Sequence, residues 1–143
     1  MRYEAPDSLE STVELLAREP GTAHILAGGT DLLVRLRSGV TEPDLVVDIK
    51  RIAGMTAISR EEGGWRLGAG VPGAAITEHE ALVADWPGVA EAAGLIGSTQ
   101  IQGRATLSGN LCNASPAADT VPAMAAAGAV VRIAGPGGTR DVA

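Results

Sequence analysis

Short hydrogen-bonding side chains are concentrated in one nearly uncharged stretch, residues 105–124. The polar members of this stretch are Thr106, Ser108, Asn110, Asn113, Ser115, Asp119 and Thr120. Gly109 has no β-carbon, so a ligand can approach the main chain there, beside the donors and acceptors of its neighbours. The stretch therefore predicts a segment that binds a polar ligand, with a polar turn between two core elements as the alternative.

A second stretch, residues 23–37, has the order of elements found in phosphate-binding turns. An apolar run at 24–27 predicts a short buried strand, Gly28 and Gly29 predict a tight turn, and a helix should begin at 30–31. Glycines let backbone amides face an anion, and a helix N-terminus adds partial positive charge. The pattern is neither GxGxxG nor a P-loop, so an ordinary structural turn is the alternative.

Composition limits the classes of function that the chain can have. Its 143 residues are enough for one domain, or for two small subdomains that share a core. Hydrophobic residues make up 45% of the chain but aromatic residues only 2%, so the core must consist of Ala, Val, Leu and Ile. The net charge of −6 argues against a nucleic-acid or membrane-surface partner.

The sequence indicates no metal centre and no membrane segment. Cys112 is the single cysteine, which excludes an internal disulfide, a cysteine zinc cluster and an iron–sulfur site held by this chain alone. The N-terminal residues lack the apolar run of a signal peptide, and no run reaches membrane-spanning length. We therefore expect a cytoplasmic location.

The first fifty residues predict a helix followed by a strand–helix–strand unit. The first helix should begin at Asp7 or Ser8, where Asp7 and Glu10 have the spacing of a capping box. A strand at 24–27, a helix to about residue 38 and an apolar strand at 44–49 follow. Such a unit predicts two parallel strands joined by a right-handed crossover.

The pattern changes near Gly54, where we place the boundary between a first subdomain, residues 1–54, and a second, residues 55–143. The second part begins with a predicted hairpin, whose strands at 55–59 and 65–69 flank a turn at 61–64. Helices at 74–84 and 87–96, a loop at 97–103 and a helix at 119–127 follow. It ends with a strand at 129–133, a turn at 135–138 and a return strand at 139–142.

No side chain stands out as an acid–base catalyst. His24 falls in an apolar strand and is predicted to be a hydrogen-bonded core histidine. His79 falls on a predicted helix between two glutamates and should be solvated. Cys112 has no basic neighbour in sequence and is predicted to be a small buried residue.

Taken together, four motifs resemble a known family. LAGGTDLL at 26–33, VVDI at 46–49, IGSTQIQGRATLSGNL at 96–111 and NASPAADTVPA at 113–123 are similar to the FAD-binding medium subunit of molybdenum hydroxylases of the xanthine dehydrogenase and carbon monoxide dehydrogenase type. The resemblance runs from about Leu9 to the last residue, and two motifs in order about 80 residues apart are far more specific than either alone.

The resemblance implies an α+β fold of the vanillyl-alcohol oxidase / p-cresol methylhydroxylase type, in which two subdomains hold FAD between them. It implies FAD contacts at Leu26, Ala27, Gly28, Gly29, Thr30, Asp31, Leu32, Leu33, Gly97, Thr106, Ser108, Gly109, Asn110, Asn113 and Asp119. The first loop would wrap the pyrophosphate, the segment 106–110 would form a second phosphate-side loop, Asp119 would bind the sugar or adenine side, and Gly97 would lie near the flavin. Ser108 stands where the family commonly has glycine.

The resemblance also implies partners. A large subunit would carry molybdopterin, a small subunit would carry iron–sulfur clusters, and this chain would pass electrons through FAD to NAD or another acceptor. A stand-alone flavin oxidoreductase and a cofactor-free structural module are the alternatives. Because the family has further sheet and a C-terminal domain beyond the last strand, we expect an incomplete fold here, with an exposed apolar edge near residues 130–133.

Overall fold

The computed structural model describes all 143 residues. Its first part consists of β1 (Arg2–Glu4), α1 (Leu9–Arg18), β2 (Ala23–Leu26), α2 (Leu32–Arg37) and β3 (Leu45–Asp48). The three strands form one parallel sheet in the order β1-β3-β2, in which Val46 of β3 lies opposite both Tyr3 and His24. The predicted parallel pairing of β2 and β3 is confirmed, whereas β1 was not predicted.

The central strand β3 is the most buried element of this sheet. All four of its residues are buried, and Leu45 and Val47 have no exposed surface. A continuous apolar run of this kind is typical of a parallel strand that is covered on both faces. The carboxyl ends of β2 and β3 lie side by side, with Leu26 opposite Asp48.

The second part contains two hairpins and six short helices. These elements are β4 (Ile58–Glu61), β5 (Gly64–Leu67), α3 (Gly73–Thr77), α4 (Glu80–Asp85), α5 (Pro87–Gly94), α6 (Thr99–Gln102), α7 (Leu107–Cys112), α8 (Val121–Ala126), β6 (Val131–Gly135) and β7 (Gly138–Val142). Both predicted antiparallel hairpins are confirmed. Each closes through two residues, at 62–63 and 136–137, as is common where the turn carries glycine.

A second core lies among the helices. Its buried members are Val71, Ile76, Leu82, Val89, Ala90, Ala93 and Leu107. All are Ala, Val, Leu or Ile, as the low aromatic content predicted. Trp65 packs only at the margin of this cluster. No helix combines the length and the apolar character needed to cross a bilayer.

Local capping changes several predicted boundaries. Of the two predicted starts of α1, Ser8 is confirmed as the cap, with its hydroxyl accepting from the amide of Ser11 at 3.1 Å, whereas the capping box of Asp7 and Glu10 is not formed. The predicted helix 74–84 is divided into α3 and α4, because Nδ1 of His79 accepts from the amide of Leu82 at 3.2 Å. His79 is therefore a half-buried cap, in edge contact with Trp65 at 5.0 Å, and the solvated position predicted for it is wrong.

Three further predictions are corrected. Residues 97–103 contain the short helix α6, and the helix predicted at 119–127 begins only at Val121. Cys112 is exposed rather than buried. His24 is half-buried and lies 3.3 Å from the hydroxyl of Thr41, which agrees with a hydrogen-bonded histidine at the edge of the core.

Candidate functional site

The Gly-Gly turn joins the end of β2 to the start of α2, as predicted. Gly29 has a φ of +81°, a conformation that favours glycine, and a β-carbon there would lie 2.8 Å from Cδ1 of Leu26 and 3.1 Å from Cδ1 of Leu33. The carbonyl oxygen of Gly29 accepts from the amide of Leu33 at 3.0 Å, which begins the helix.

The backbone amides of this turn have no partner within the protein. None of the N–H groups of residues 27–32 donates a hydrogen bond to another atom of the chain. Successive unpaired amides in a turn form a concave donor surface that suits an anion. Because α2 has only six residues, its dipole is small, and the row of amides supplies hydrogen-bond donors rather than a strong helix field.

The carbonyls of the same turn, in contrast, are hydrogen-bonded to two cations. Nζ of Lys50 donates to the Ala27 carbonyl at 2.9 Å, and Nε of Arg104 donates to the Gly28 carbonyl at 3.2 Å. Neither residue was predicted from the sequence to take part in the site.

Lys50 is itself held by a buried carboxylate at the end of β3. Asp48 accepts from Nζ of Lys50 at 2.8 Å, from the amide of Lys50 at 2.9 Å and from the hydroxyl of Tyr3 at 2.8 Å. Burial raises the pKa of Asp48, but these hydrogen bonds outweigh it, so the pKa lies below its usual value. The hydrogen bond to Asp48, then burial, raises the pKa of Tyr3.

The segment predicted as a second loop is a helix. Thr106 is buried and caps α7, with its hydroxyl accepting from the amide of Gly109 at 2.9 Å. A β-carbon on Gly109 would lie 2.8 Å from that hydroxyl oxygen. Ser108 donates to the carbonyl of Ala69. The chain at 106–110 is therefore the capped start of a helix, which corrects the prediction of a loop there.

Asn110 also has a structural partner. Its side-chain oxygen accepts from the amide of Thr120 at 3.1 Å and from the Thr120 hydroxyl at 2.7 Å. Thr120 has no exposed surface and stands immediately before α8. Asn110 thereby fixes the start of α8 against α7.

The two motifs meet at Gly28. A β-carbon on Gly28 would overlap the carbonyl oxygen of Arg104 and would lie 3.1 Å from Cα of Ala105. The structure therefore places the Gly-Gly turn directly against the chain that leads into Thr106 and α7, although about 75 residues separate them in sequence.

The remaining predicted residues have fewer contacts. Thr30 is half-buried and Asp31 is exposed, and neither side chain makes a hydrogen bond that caps α2. Gly97 is exposed with a φ of +55°, beside Ile101. Asn113 and Asp119 are exposed, and no hydrogen bond joins them or Gly97 to the Gly-Gly turn.

Comparison with known proteins agrees with the motifs. Residues 1–143 match the family model described as the FAD binding domain in molybdopterin dehydrogenase. The chain is 34% identical to the nicotinate dehydrogenase FAD-subunit of Eubacterium barkeri, covering 96% of this chain and 47% of that protein. It is 32% identical to the xanthine dehydrogenase FAD-binding subunit of Escherichia coli O157:H7, covering 98% and 48%.

A solved structure has the same fold over the whole chain. The crystal structure of the Cu,Mo-CO dehydrogenase in its cyanide-inactivated form superposes with a TM-score of 0.93 at 31% identity, covering 99% of this chain and 50% of that one. The chain spans about half the length of the relatives that it matches. The chain therefore belongs to the family of FAD-binding domains of molybdopterin dehydrogenases.

Proposed function

We propose that this chain holds FAD within the flavoprotein subunit of a cytoplasmic, molybdopterin-dependent hydroxylase or dehydrogenase. The observation that carries the proposal is the row of unpaired amides at residues 27–32. These donors suit the FAD diphosphate, which is anionic and needs several acceptor oxygens satisfied. No carboxylate of the chain accepts a hydrogen bond from this row, so the amide donors remain available to an anion.

The proposed contacts follow the two motifs. Leu26, Ala27, Gly28, Gly29, Thr30, Asp31, Leu32 and Leu33 surround the diphosphate, and Gly97, Thr106, Ser108, Gly109, Asn110, Asn113 and Asp119 form the rest of the site. Because Thr106 and Asn110 already make internal hydrogen bonds, we propose that they shape the second segment as well as line it. The exposed carboxylate of Asp119 remains available for the sugar or adenine side.

We further propose that residues 1–54 and 55–143 are two subdomains of a vanillyl-alcohol oxidase type fold. In support, the parallel sheet is confined to residues 2–48, and every later strand pairs only within its own hairpin. The junction of the two parts, at Gly28 and Arg104, is where the amide row lies.

When bound, FAD supplies redox chemistry that no side chain here can supply. The proposed role of the subunit is to receive electrons from iron–sulfur clusters and to pass them to NAD or another acceptor. The proposed partners are a molybdopterin-binding large subunit and an iron–sulfur small subunit. The chain's own part is to hold the diphosphate and to orient the cofactor.

Two measurements test this proposal. The bound nucleotide of the purified flavoprotein should co-migrate with FAD and not with FMN, because the donor row fits a diphosphate. FMN alone, or no flavin absorption, would contradict it. Co-purification of two further subunits is expected, whereas a lone flavoprotein would favour a stand-alone flavin oxidoreductase, and a colourless protein would favour a structural module.

A further inference from the structure

The geometry points to Lys50 and Arg104 as positioning residues that aim the phosphate-binding amides by holding the carbonyl groups of the same peptide planes. This inference rests on the proposed binding of FAD. It assigns to both cations a role that is distinct from direct contact with phosphate.

The argument begins with the planarity of the peptide bond. In a trans peptide, the C=O of one residue and the N–H of the next lie in one plane and point in opposite directions. The chain contains no cis peptide. Fixing the Ala27 carbonyl therefore fixes the direction of the Gly28 N–H, and fixing the Gly28 carbonyl fixes that of the Gly29 N–H.

Both of these carbonyls are fixed. Lys50 holds the first at 2.9 Å and Arg104 holds the second at 3.2 Å, so two successive peptide planes are each held from the side opposite their amide. The amides of Gly28 and Gly29 donate to no atom of the protein. Glycine has few steric limits on its backbone torsions, so without the cations these two peptide planes could rotate. The cations restrict that rotation before the ligand binds, and binding then loses less conformational entropy.

The surroundings of Lys50 favour this indirect role. Its ammonium is 2.8 Å from a carboxylate oxygen of Asp48, which also accepts the Lys50 amide and the Tyr3 hydroxyl. Its charge is thus largely balanced inside the protein. Through these contacts Tyr3 of β1, Asp48 of β3 and Ala27, the residue that follows β2, are linked to one another.

The experiment compares four variants of the full flavoprotein subunit within its complex. Lys50→Met and Arg104→Met remove the donors, and Lys50→Arg restores one. Arg51→Met removes a neighbouring exposed cation that lies near Tyr3 but makes no side-chain hydrogen bond. Apoprotein is titrated with FAD at low and high salt, and the ³¹P resonances of bound FAD are recorded.

We expect each Met variant to bind FAD about tenfold more weakly, the size of one charge-assisted hydrogen bond, and to shift the bound ³¹P resonances. The salt dependence of Lys50→Met should match wild type, since the Lys50 charge is balanced by Asp48 and no phosphate contact is lost. Lys50→Arg should recover affinity, and Arg51→Met should resemble wild type. If Lys50→Met destabilises the fold, the recovery of FAD affinity by Lys50→Arg still tests the inference.

Two results would overturn the inference while leaving FAD binding intact. Met variants within about twofold of wild type would show that the carbonyl contacts do not matter. A loss of affinity with a reduced salt dependence in Lys50→Met would show that the Lys50 ammonium contacts phosphate directly. A wild-type flavoprotein that binds no FAD would instead overturn the proposed function, and this inference with it.

Discussion

Gly28 lies against the main chain of Arg104 so closely that a β-carbon on Gly28 would be 2.8 Å from the Arg104 carbonyl carbon. The contact is made by the backbone of Arg104 and Ala105 on one side and by the backbone of the Gly-Gly turn on the other. No flexible side chain is present that could move aside. The contact between the two motifs therefore depends on the absence of a single methyl group.

Gly28→Ala should consequently separate the two motifs. We expect loss of bound FAD and a decrease of about 3 kcal/mol in the free energy of unfolding, because overpacking against backbone cannot be relieved locally. Flavin absorbance and urea denaturation measure both effects. Gly88→Ala is the matched control, since a β-carbon there meets nothing within 4 Å. Retention of FAD by Gly28→Ala would show that the contact is dispensable.

Gly29→Val tests the conformation of the turn. A branched residue at a φ of +81° is strained, at a cost of about 2 kcal/mol, and its β-carbon would press on Leu26 and Leu33. We expect weakened FAD binding by a folded domain. Gly39→Val, at a φ of +68° in open space, should lose stability but keep its FAD affinity. If Gly29→Val and Gly39→Val bound FAD with equal affinity, the Gly-Gly turn would not be part of the binding site.

Asn110→Ala should destabilise the protein through its buried partner. Thr120 has no exposed surface, and its amide and hydroxyl would both lose their acceptor, which costs about 2 kcal/mol. Because Thr120→Val removes the same hydroxyl, the double variant should lose less stability than the sum of the two single variants. Strict additivity in thermal denaturation would contradict this coupling.

Asp119→Asn separates ligand binding from stability. The N-cap position of α8 is Thr120, without a side-chain capping bond, and Asp119 is exposed. The thermal midpoint should therefore remain that of wild type. If Asp119 accepts hydrogen bonds from FAD, the affinity measured by flavin fluorescence should fall about tenfold. Unchanged affinity would exclude Asp119 from the site.

The hydrogen bonds to Asp48 predict a dependence of stability on pH. Its pKa in the folded protein lies below the ordinary value of 3.8, so folding favours the ionised form. The resulting stabilisation is present above that value and is lost as the pH falls through the lower, folded pKa. Unfolding midpoints of wild type and Asp48→Asn should therefore converge as the pH falls below about 4. Parallel curves down to the lowest pH would refute this.

Much of the fold could be predicted because its signals are local. The apolar run of β3, the Gly-Gly turn before α2 and the glycine turns of both hairpins each have one obvious interpretation. β1 was missed because Arg2–Glu4 is short and exposed, and only its pairing with β3 makes it a strand. The division between α3 and α4 was missed because it depends on a histidine that acts as a cap.

The site was predicted in part for the same reason. The glycines and the Thr106 region carry recognisable motifs, whereas Lys50 and Arg104 act on main-chain carbonyls, which every residue possesses. Only the folded chain shows which carbonyls are within their reach. The structural partner of Asn110 was not predicted, because Thr120 is ten positions away and gives no periodic signal.

The parallel sheet also sets an order of events during synthesis. β3 lies between two strands that leave the ribosome before it, so neither β1 nor β2 has a hydrogen-bonding partner until residue 48 has emerged. The β4–β5 and β6–β7 hairpins, in contrast, close through contacts between near neighbours and form within microseconds. The parallel sheet is therefore expected to become protected from proteolysis only after β3 has emerged, whereas each hairpin can close as soon as its second strand has been made.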